Sequence, residues 1–321
     1  MQRSSTPVAD FATPSAAPPP PVSLPRFVLM GTLFSLVWSS AFIAGKAGMA
    51  ASGPLTLLSL RFLLAGILVW PLVHLHSGMH RAAAQARPER VPKKQKLRDI
   101  GVALLAGLLN NAVYLGLAFV GMRTVPAGLT TILVSTSPLM TSALAAVALR
   151  ERPSWRAAAG LAAGFAGVVW IMRTRALSAS ADLDGVMLIL LGTVALSASI
   201  LLYRQVAGRL DPWRIAAIQL PTSGLVLLPL AWWREGLAVQ PNAAFFGSLL
   251  YLAVVVSIGA TLLLLWLVRH GGASRASSFH LLNPLFGTLL AVLLLGEHIP
   301  ASDLLGALPI MAGLGLVLRR G

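Results

Sequence analysis

The chain of 321 residues has no cysteine, so neither disulfides nor thiolate metal ligands can form. Charge is scarce too: 11% of residues are charged, against roughly 25% in an ordinary soluble domain, while 56% are hydrophobic. Acids are the rarer sign. All ten carboxylates (Asp10, Glu89, Asp99, Glu151, Asp182, Asp184, Asp211, Glu235, Glu297 and Asp303) fall in tails, turns or the ends of apolar runs. With no acid in a run interior, cationic drugs are poor cargo candidates and a carboxylate proton relay has no members. Catalytic signatures are missing as well. There is no G-x-S-x-G elbow and no H-E-x-x-H pair, and Gly45-Lys46 lacks the rest of a phosphate loop. The stretch HGGASRASSFH, His270 to His280, brings no carboxylate to orient an imidazole. A membrane-embedded enzyme is therefore the weaker alternative, and no catalytic residue, metal or cofactor is expected. A channel is disfavoured because nothing suggests rings of charge or carbonyls.

What fills the chain instead is apolar sequence. Ten runs lie near 27–47, 54–74, 99–120, 125–149, 156–173, 184–204, 212–233, 244–268, 275–295 and 302–318. As helices they are long enough for a hydrocarbon core of about 30 Å. Continuous Leu, Ala and Gly favour helices over the alternating segments of a barrel, so the expected fold class is an all-α polytopic membrane protein. Residues 1–26 hold seven prolines and few apolar groups, and are expected to be a disordered tail rather than a secretory signal.

The net charge of +15 raises nucleic acid as a partner, but the placement of the cations points elsewhere. With the N-terminus inside, 19 of the 25 Lys and Arg residues fall in inner segments and five in outer ones. That asymmetry is the positive-inside pattern, and it predicts that both termini are cytoplasmic. The basic loop 75–98 is suited to anionic lipid. Expected partners are the bilayer and a small-molecule substrate, with a monomer expected and a dimer as the alternative.

The chain also contains itself twice. Written above FHLLNPLFGTLLAVLLLGEHIPASDLLGALPIMAG, the stretch LVSTSPLMTSALAAVALRERPSWRAAAGLAAGFAG pairs Pro138 with Pro284, Glu151 with Glu297, Gly160 with Gly306 and Gly167 with Gly313, all 146 positions apart. Earlier the offset is 158, pairing Ser39 with Ser197, Lys46 with Arg204, Pro54 with Pro212, Gly66 with Gly224 and Pro71 with Pro229. A longer basic loop in the first copy accounts for the change. Five runs per copy is an odd number, so the second copy, 184–319, enters the membrane inverted relative to the first, 27–173. Inverted repeats place a site near the midplane between copies and allow it to face each side in turn.

Several stretches carry a resemblance: WSSAFIAGK in the first run, Pro54 followed by Arg61-Phe62, the prolines of the fourth and ninth runs, and the turns Leu149 to Glu151 and Leu295 to Glu297. Over residues 27–319 these resemble the EamA branch of the drug/metabolite transporter superfamily. The resemblance implies a bacterial inner-membrane carrier, commonly an exporter of amino acids or related metabolites, with nucleotide-sugar and sugar-phosphate carriers as distant kin. WSSAF departs from the usual small-Asn-Phe version at Ser40 and Ala41, so a role for that asparagine has no residue here.

A polar side chain in hydrocarbon tends to face a partner or water, which selects the candidate lining. It comprises Trp38, Ser39, Arg61, Asn110, Asn111, Tyr114, Thr131, Ser135, Ser199, Tyr203, Gln219, Thr261, Trp266, Ser277, His280 and Asn283, with Ser40, Ser197 and Ser257 nearby. Pro138 and Pro284 are the expected helix breaks. Arg61 is the one cation inside a run, and His280 is the titratable group near the middle of a run whose ordinary pKa is closest to neutrality. Glu151, Glu297 and the Gly160, Gly164, Gly167 face read as structural. The expected activity is alternating-access export of a small neutral or zwitterionic metabolite, such as an amino acid or derivative.

Overall fold

The structure is a computed structural model that describes residues 22–83, 92–148, 155–177, 183–206 and 209–318. Most of the tail, part of the basic loop, and the turn holding Glu151 lie outside the described residues, as does the side chain of Ser277. The described chain is helical throughout, and its one β contact is an isolated bridge between Ser52 and Val239. In order the helices are α1 Leu24–Met49, α2 Pro54–Ala83, α3 Lys93–Gly107, α4 Leu115–Gly121, α5 Ala127–Val134, α6 Ser137–Ala148 and α7 Trp155–Leu177. There follow α8 Leu183–Val206, α9 Pro212–Glu235, α10 Ala243–Tyr251, α11 Thr261–Ser278, α12 Asn283–Leu295 and α13 Ala301–Leu318. Two π-helical segments, Leu108–Tyr114 and Leu252–Ala260, join α3 to α4 and α10 to α11.

Seven stretches of helix are long and apolar enough to cross a membrane: Leu24–Met49, Pro54–His74, Lys93–Gly121, Ala127–Val147, Leu183–Val206, Pro212–Glu235 and Ala243–Gly271. Three further apolar stretches, Ala158–Ile171, Asn283–Leu295 and Ala301–Gly313, are shorter. The ten expected crossings thus correspond to segments of unequal length, seven of which meet the length of a full span. One shortening has a local cause: a 3-10 turn, Phe279–Leu282, interrupts the chain before Pro284. Proline lacks the N–H that would continue the ladder, and its ring crowds the carbonyl four residues back. Pro138 is preceded in the same way by a non-helical step at residues 135–136 between α5 and α6.

The outside of the bundle is apolar, with Ile67 70%, Leu225 59% and Leu293 68% exposed, as suits a lipid-facing surface. Trp155, Trp232 and Trp233 lie exposed at helix ends, where indoles favour the interface. Inside, helices approach closely through glycine. A Cβ on Gly167 would come within 2.5 Å of the Gly306 carbonyl, and one on Gly313 would run into the Gly160 carbonyl, so α7 and α13 can pack only if these positions stay bare. Helix α2 lies along α9, where Gly224 sits 3.0 Å, measured from an added Cβ, from the Ser59 carbonyl, and α5 packs on α12.

One end of the bundle is tied by polar contacts. Glu235, at the end of α9, accepts hydrogen bonds from the backbone N–H groups of Leu55 (3.1 Å) and Thr56 (2.8 Å) and from the Thr56 hydroxyl (2.7 Å) at the start of α2. Glu297 does the same for the first turn of α5, taking the N–H of Ala127 (2.8 Å) and Gly128 (3.0 Å). Lys46 donates to the carbonyls of Met122 and Val125, just past α4. Each charge meets the helix end whose dipole and unpaired groups it complements.

Candidate functional site

Three stretches of helix from the first half and one from the second enclose a cavity in the interior. Trp38, Ala41 and Phe42 come from α1, and Arg61 and Phe62 from α2. Asn110, Asn111 and Leu115 come from the first π-helix and α4, while Val256, Ser257 and Thr261 come from the second π-helix and α11. The enclosed volume is about 20 Å³, space for a water-sized group. The π-helices shape it. In such a turn the chain carries one extra residue, which lets consecutive polar side chains reach one side. Asn110 and Asn111 are both buried here, and the Ser257 hydroxyl donates to Leu252 O five residues back, at 2.9 Å.

The polar groups around this cavity are incompletely paired. Arg61 is 2% exposed; its Nε donates to Ser257 Oγ at 2.7 Å, and its guanidinium carbon stands 5.1 Å from the Phe62 ring centre. Asn110 Nδ2 donates to Asn111 Oδ1 at 3.0 Å. Three buried atoms of the cavity lining, Arg61 Nη1, Asn110 Oδ1 and Asn111 Nδ2, have no hydrogen-bond partner among the described residues, while Trp38 Nε1 and Tyr114 Oη neighbour each other without closing a well-aligned bond. A buried polar atom left unpaired costs about 1–3 kcal/mol. Several in one place mark a region whose polar groups are not explained by stability.

A second polar node lies on the far side of Trp38. The His280 ring meets Phe34 and Trp38 edge-on, with centroids 5.3 and 5.6 Å apart. Asn283 Nδ2 reaches His280 Nδ1 at 2.8 Å, and Asn283 Oδ1 accepts from Ser35 Oγ at 2.7 Å. Since an amide nitrogen only donates, this arrangement assigns the proton of the neutral ring to Nε2. Ser39 Oγ donates to the Asn283 carbonyl at 3.4 Å, close to the break before Pro284. His280 also lines a small cavity with Tyr203, Leu265 and Val268, and the same three residues line a vestibule of about 240 Å³ bearing Arg209, Asp211 and Arg269. Trp38 touches both groups, meeting the His280 ring and lining the Arg61 cavity.

The sequence candidates thus sort into groups. Trp38, Arg61, Asn110, Asn111, Thr261 and the nearby Ser257 line the cavity, and Tyr114 is buried beside Trp38 and Arg61. His280, Asn283 and Ser39 form the second node. Tyr203 donates to Gln219 and lines the vestibule, with Ser199 as a neighbour. Thr131 and Ser135 spend their hydroxyls on carbonyls of their own helix, Gly128 O at 2.7 Å and Ile132 O at 2.6 Å, away from the cavity. Trp266 stacks between Phe27 and His270, with centroids 6.2 and 4.4 Å away. Ser40 pairs with Tyr251 at 2.6 Å, and Ser197 bonds the carbonyls of Ser137 and Thr193. Ser35 and Phe34 join the second node without having stood out in the sequence. Their signal was a position one turn before Trp38 and Ser39, on the same helix face.

Comparison with known proteins adds a family. The model of the EamA-like transporter family matches residues 26–173 and 183–319. The chain is 28% identical over 293 residues to the uncharacterized transporter YvbV of Bacillus subtilis, covering 91% of each. It is 30% identical over 276 residues to the uncharacterized inner membrane transporter YedA of Escherichia coli, covering 84% of this chain and 83% of that one. A probable terminal-alkyne amino-acid exporter of Streptantibioticus cattleyicolor is 27% identical over 301 residues, covering 93% and 95%. A solved crystal structure, of a protein given no functional name, superposes with a TM-score of 0.60 at 16% identity, covering 92% of this chain and 96% of that one, a likeness of fold.

Proposed function

Since the chain belongs to the EamA-like transporter family and is a multi-pass membrane transporter rather than an enzyme, we propose that it exports a small neutral or zwitterionic metabolite by alternating access. An amino acid or amino-acid derivative is the favoured cargo. The observation that carries the reading is the set of incompletely paired buried polar atoms around the Arg61 cavity. Solute groups entering there would satisfy atoms that the fold leaves unsatisfied. The amino-acid exporter among the relatives supports the cargo class.

The machinery in this reading is two inverted five-helix copies with the cavity between them, both termini cytoplasmic. Three features support the duplication. Shifted by 146 positions, Leu108–Tyr114 becomes 254–260, inside the second π-helix, and the step at 135–136 becomes 281–282, inside the 3-10 turn. Two pairs of helices related by the sequence offsets pack on each other: α2 on α9 and α7 on α13. Even the cross-contacts come in matched form, since α1 packs on α12 and α11 as its counterpart α8 packs on α6 and α5.

Rocking then means exchanging which end of the bundle is tied. In this conformation Glu235, Glu297 and Lys46 tie one end, and the vestibule with Arg209 and Arg269 marks the other, which the distribution of cations assigns to the cytoplasm. The protein would function as a monomer in the bilayer, without nucleic acid or cofactor. Counterflow in vesicles preloaded with individual amino acids tests the proposal. Saturable exchange of labelled solute is expected. Turnover of a labelled lipid or peptide, or flux that never saturates, would contradict it.

A further inference from the structure

The unpaired atoms around the cavity are unequal in kind, and their imbalance bears on which end of a solute binds there. Arg61 Nη1 and Asn111 Nδ2 can only donate, Asn110 Oδ1 is the single pure acceptor, and Trp38 Nε1 and Tyr114 Oη have each other as neighbours. Arg61 is the one charged residue among those lining the cavity, and no carboxylate lines it. The side chain is also held in place. Nε is fixed on Ser257, whose own hydroxyl proton is committed to Leu252 O, and the guanidinium lies against Phe62. A buried guanidinium with its Nε engaged and Nη1 free is a preorganised half of a carboxylate clamp. An ammonium group placed there would meet that positive charge with one amide oxygen to offset it.

Taking the transported solute to bind in this cavity, we infer that the cavity is a carboxylate subsite: Arg61 Nη1 and Asn111 Nδ2 hold the solute's carboxylate, and the solute's amino group is not required. The carboxylate supplies the acceptor lone pairs that the donors lack and neutralises Arg61, which removes the cost of an uncompensated interior charge. In this conformation the cavity, about 20 Å³, holds a water-sized group, so the solute enters as the helices part, with Ala41, Phe42, Leu115 and Val256 as the apolar wall beside its carboxylate. Specificity follows from the mismatch. A primary amide presents its own donors to donors, and an amine presents a like charge.

The test is thermal stabilisation of the purified full-length protein by the standard L-amino acids. For every stabilising one, its deaminated acid, its carboxamide and its decarboxylated amine are added, with chloride and phosphate as inorganic anions. The amino acid and its deaminated acid are expected to bind within about threefold of each other, and the carboxamide and amine about 10- to 100-fold more weakly. Arg61→Gln should abolish the preference for the acid, and Arg61→Lys should keep part of it. Since Arg61 variants can fail to fold, Asn111→Asp provides an independent arm. An internal carboxylate beside Arg61 should raise the melting temperature of the ligand-free protein and abolish binding of the acids. The inference is overturned if carboxamide or amine binds as well as the acid, if chloride or phosphate alone reproduces the stabilisation, or if the whole panel is silent. Counterflow remains the separate judge of transport, so a carrier that exchanges solutes without favouring carboxylates would refute this subsite and leave the transport reading standing.

Discussion

Tyr114 is fully buried, and its hydroxyl neighbours the Trp38 indole N–H without closing a well-aligned hydrogen bond. Removing a hydroxyl whose one polar neighbour is poorly aligned forfeits little in the folded state, so Tyr114→Phe should alter stability by less than about 1 kcal/mol. Transport should nevertheless fall if the hydroxyl serves the solute. Equal amounts of inserted protein with reduced counterflow are the expected pair of results, and unchanged counterflow would remove Tyr114 from the lining. Asn283 is the opposite case. Its side chain bonds both Ser35 and His280, so Asn283→Ala should cost about 1–3 kcal/mol as well as activity, read as a lower melting temperature. In the sequence both residues are polar groups in apolar runs and look alike, because pairing depends on helices distant in the chain. Thr131 and Ser135 show the same limit. Both carry hydroxyls in an apolar run, but a hydroxyl three residues from a helix carbonyl can satisfy itself locally, and both do.

At the scale of helices, the apolar runs, the proline breaks and the glycine face of α7 were legible because each follows from a local rule of backbone chemistry. The two π-helices were not, since no residue type demands an extra residue in a helical turn; yet they place Asn110, Asn111 and Ser257 at the cavity. The partners of Glu235 and Glu297 were equally hidden. A carboxylate at a turn suggests a helix cap, whereas here each caps a helix far away in sequence. Glu297→Ala should expose the unpaired N–H groups of Ala127 and Gly128 and destabilise the closed end by about 1–2 kcal/mol. The expected readout is faster labelling of a cysteine placed at Arg123, beside that end. Labelling at the wild-type rate would mean that the carboxylate does not tie the end shut. On α13, Gly313→Ala would drive a methyl group into the Gly160 carbonyl and should lower the melting temperature by forcing α7 and α13 apart.

At the scale of the molecule, absence of cysteine turns from a negative observation into an instrument, because any introduced thiol is the only one in the chain. The account rests on a cavity between two copies that opens to each side in turn. Thr261 lines that cavity from the second copy, opposite Arg61 and Asn111. The decisive measurement is therefore the reaction of Thr261→Cys with a small membrane-impermeant thiol reagent, applied to right-side-out and to inside-out vesicles in turn. The account predicts slow modification from both sides, and protection from both by a transported solute. Modification from one side only, with the other silent in the presence and absence of solute, would contradict it.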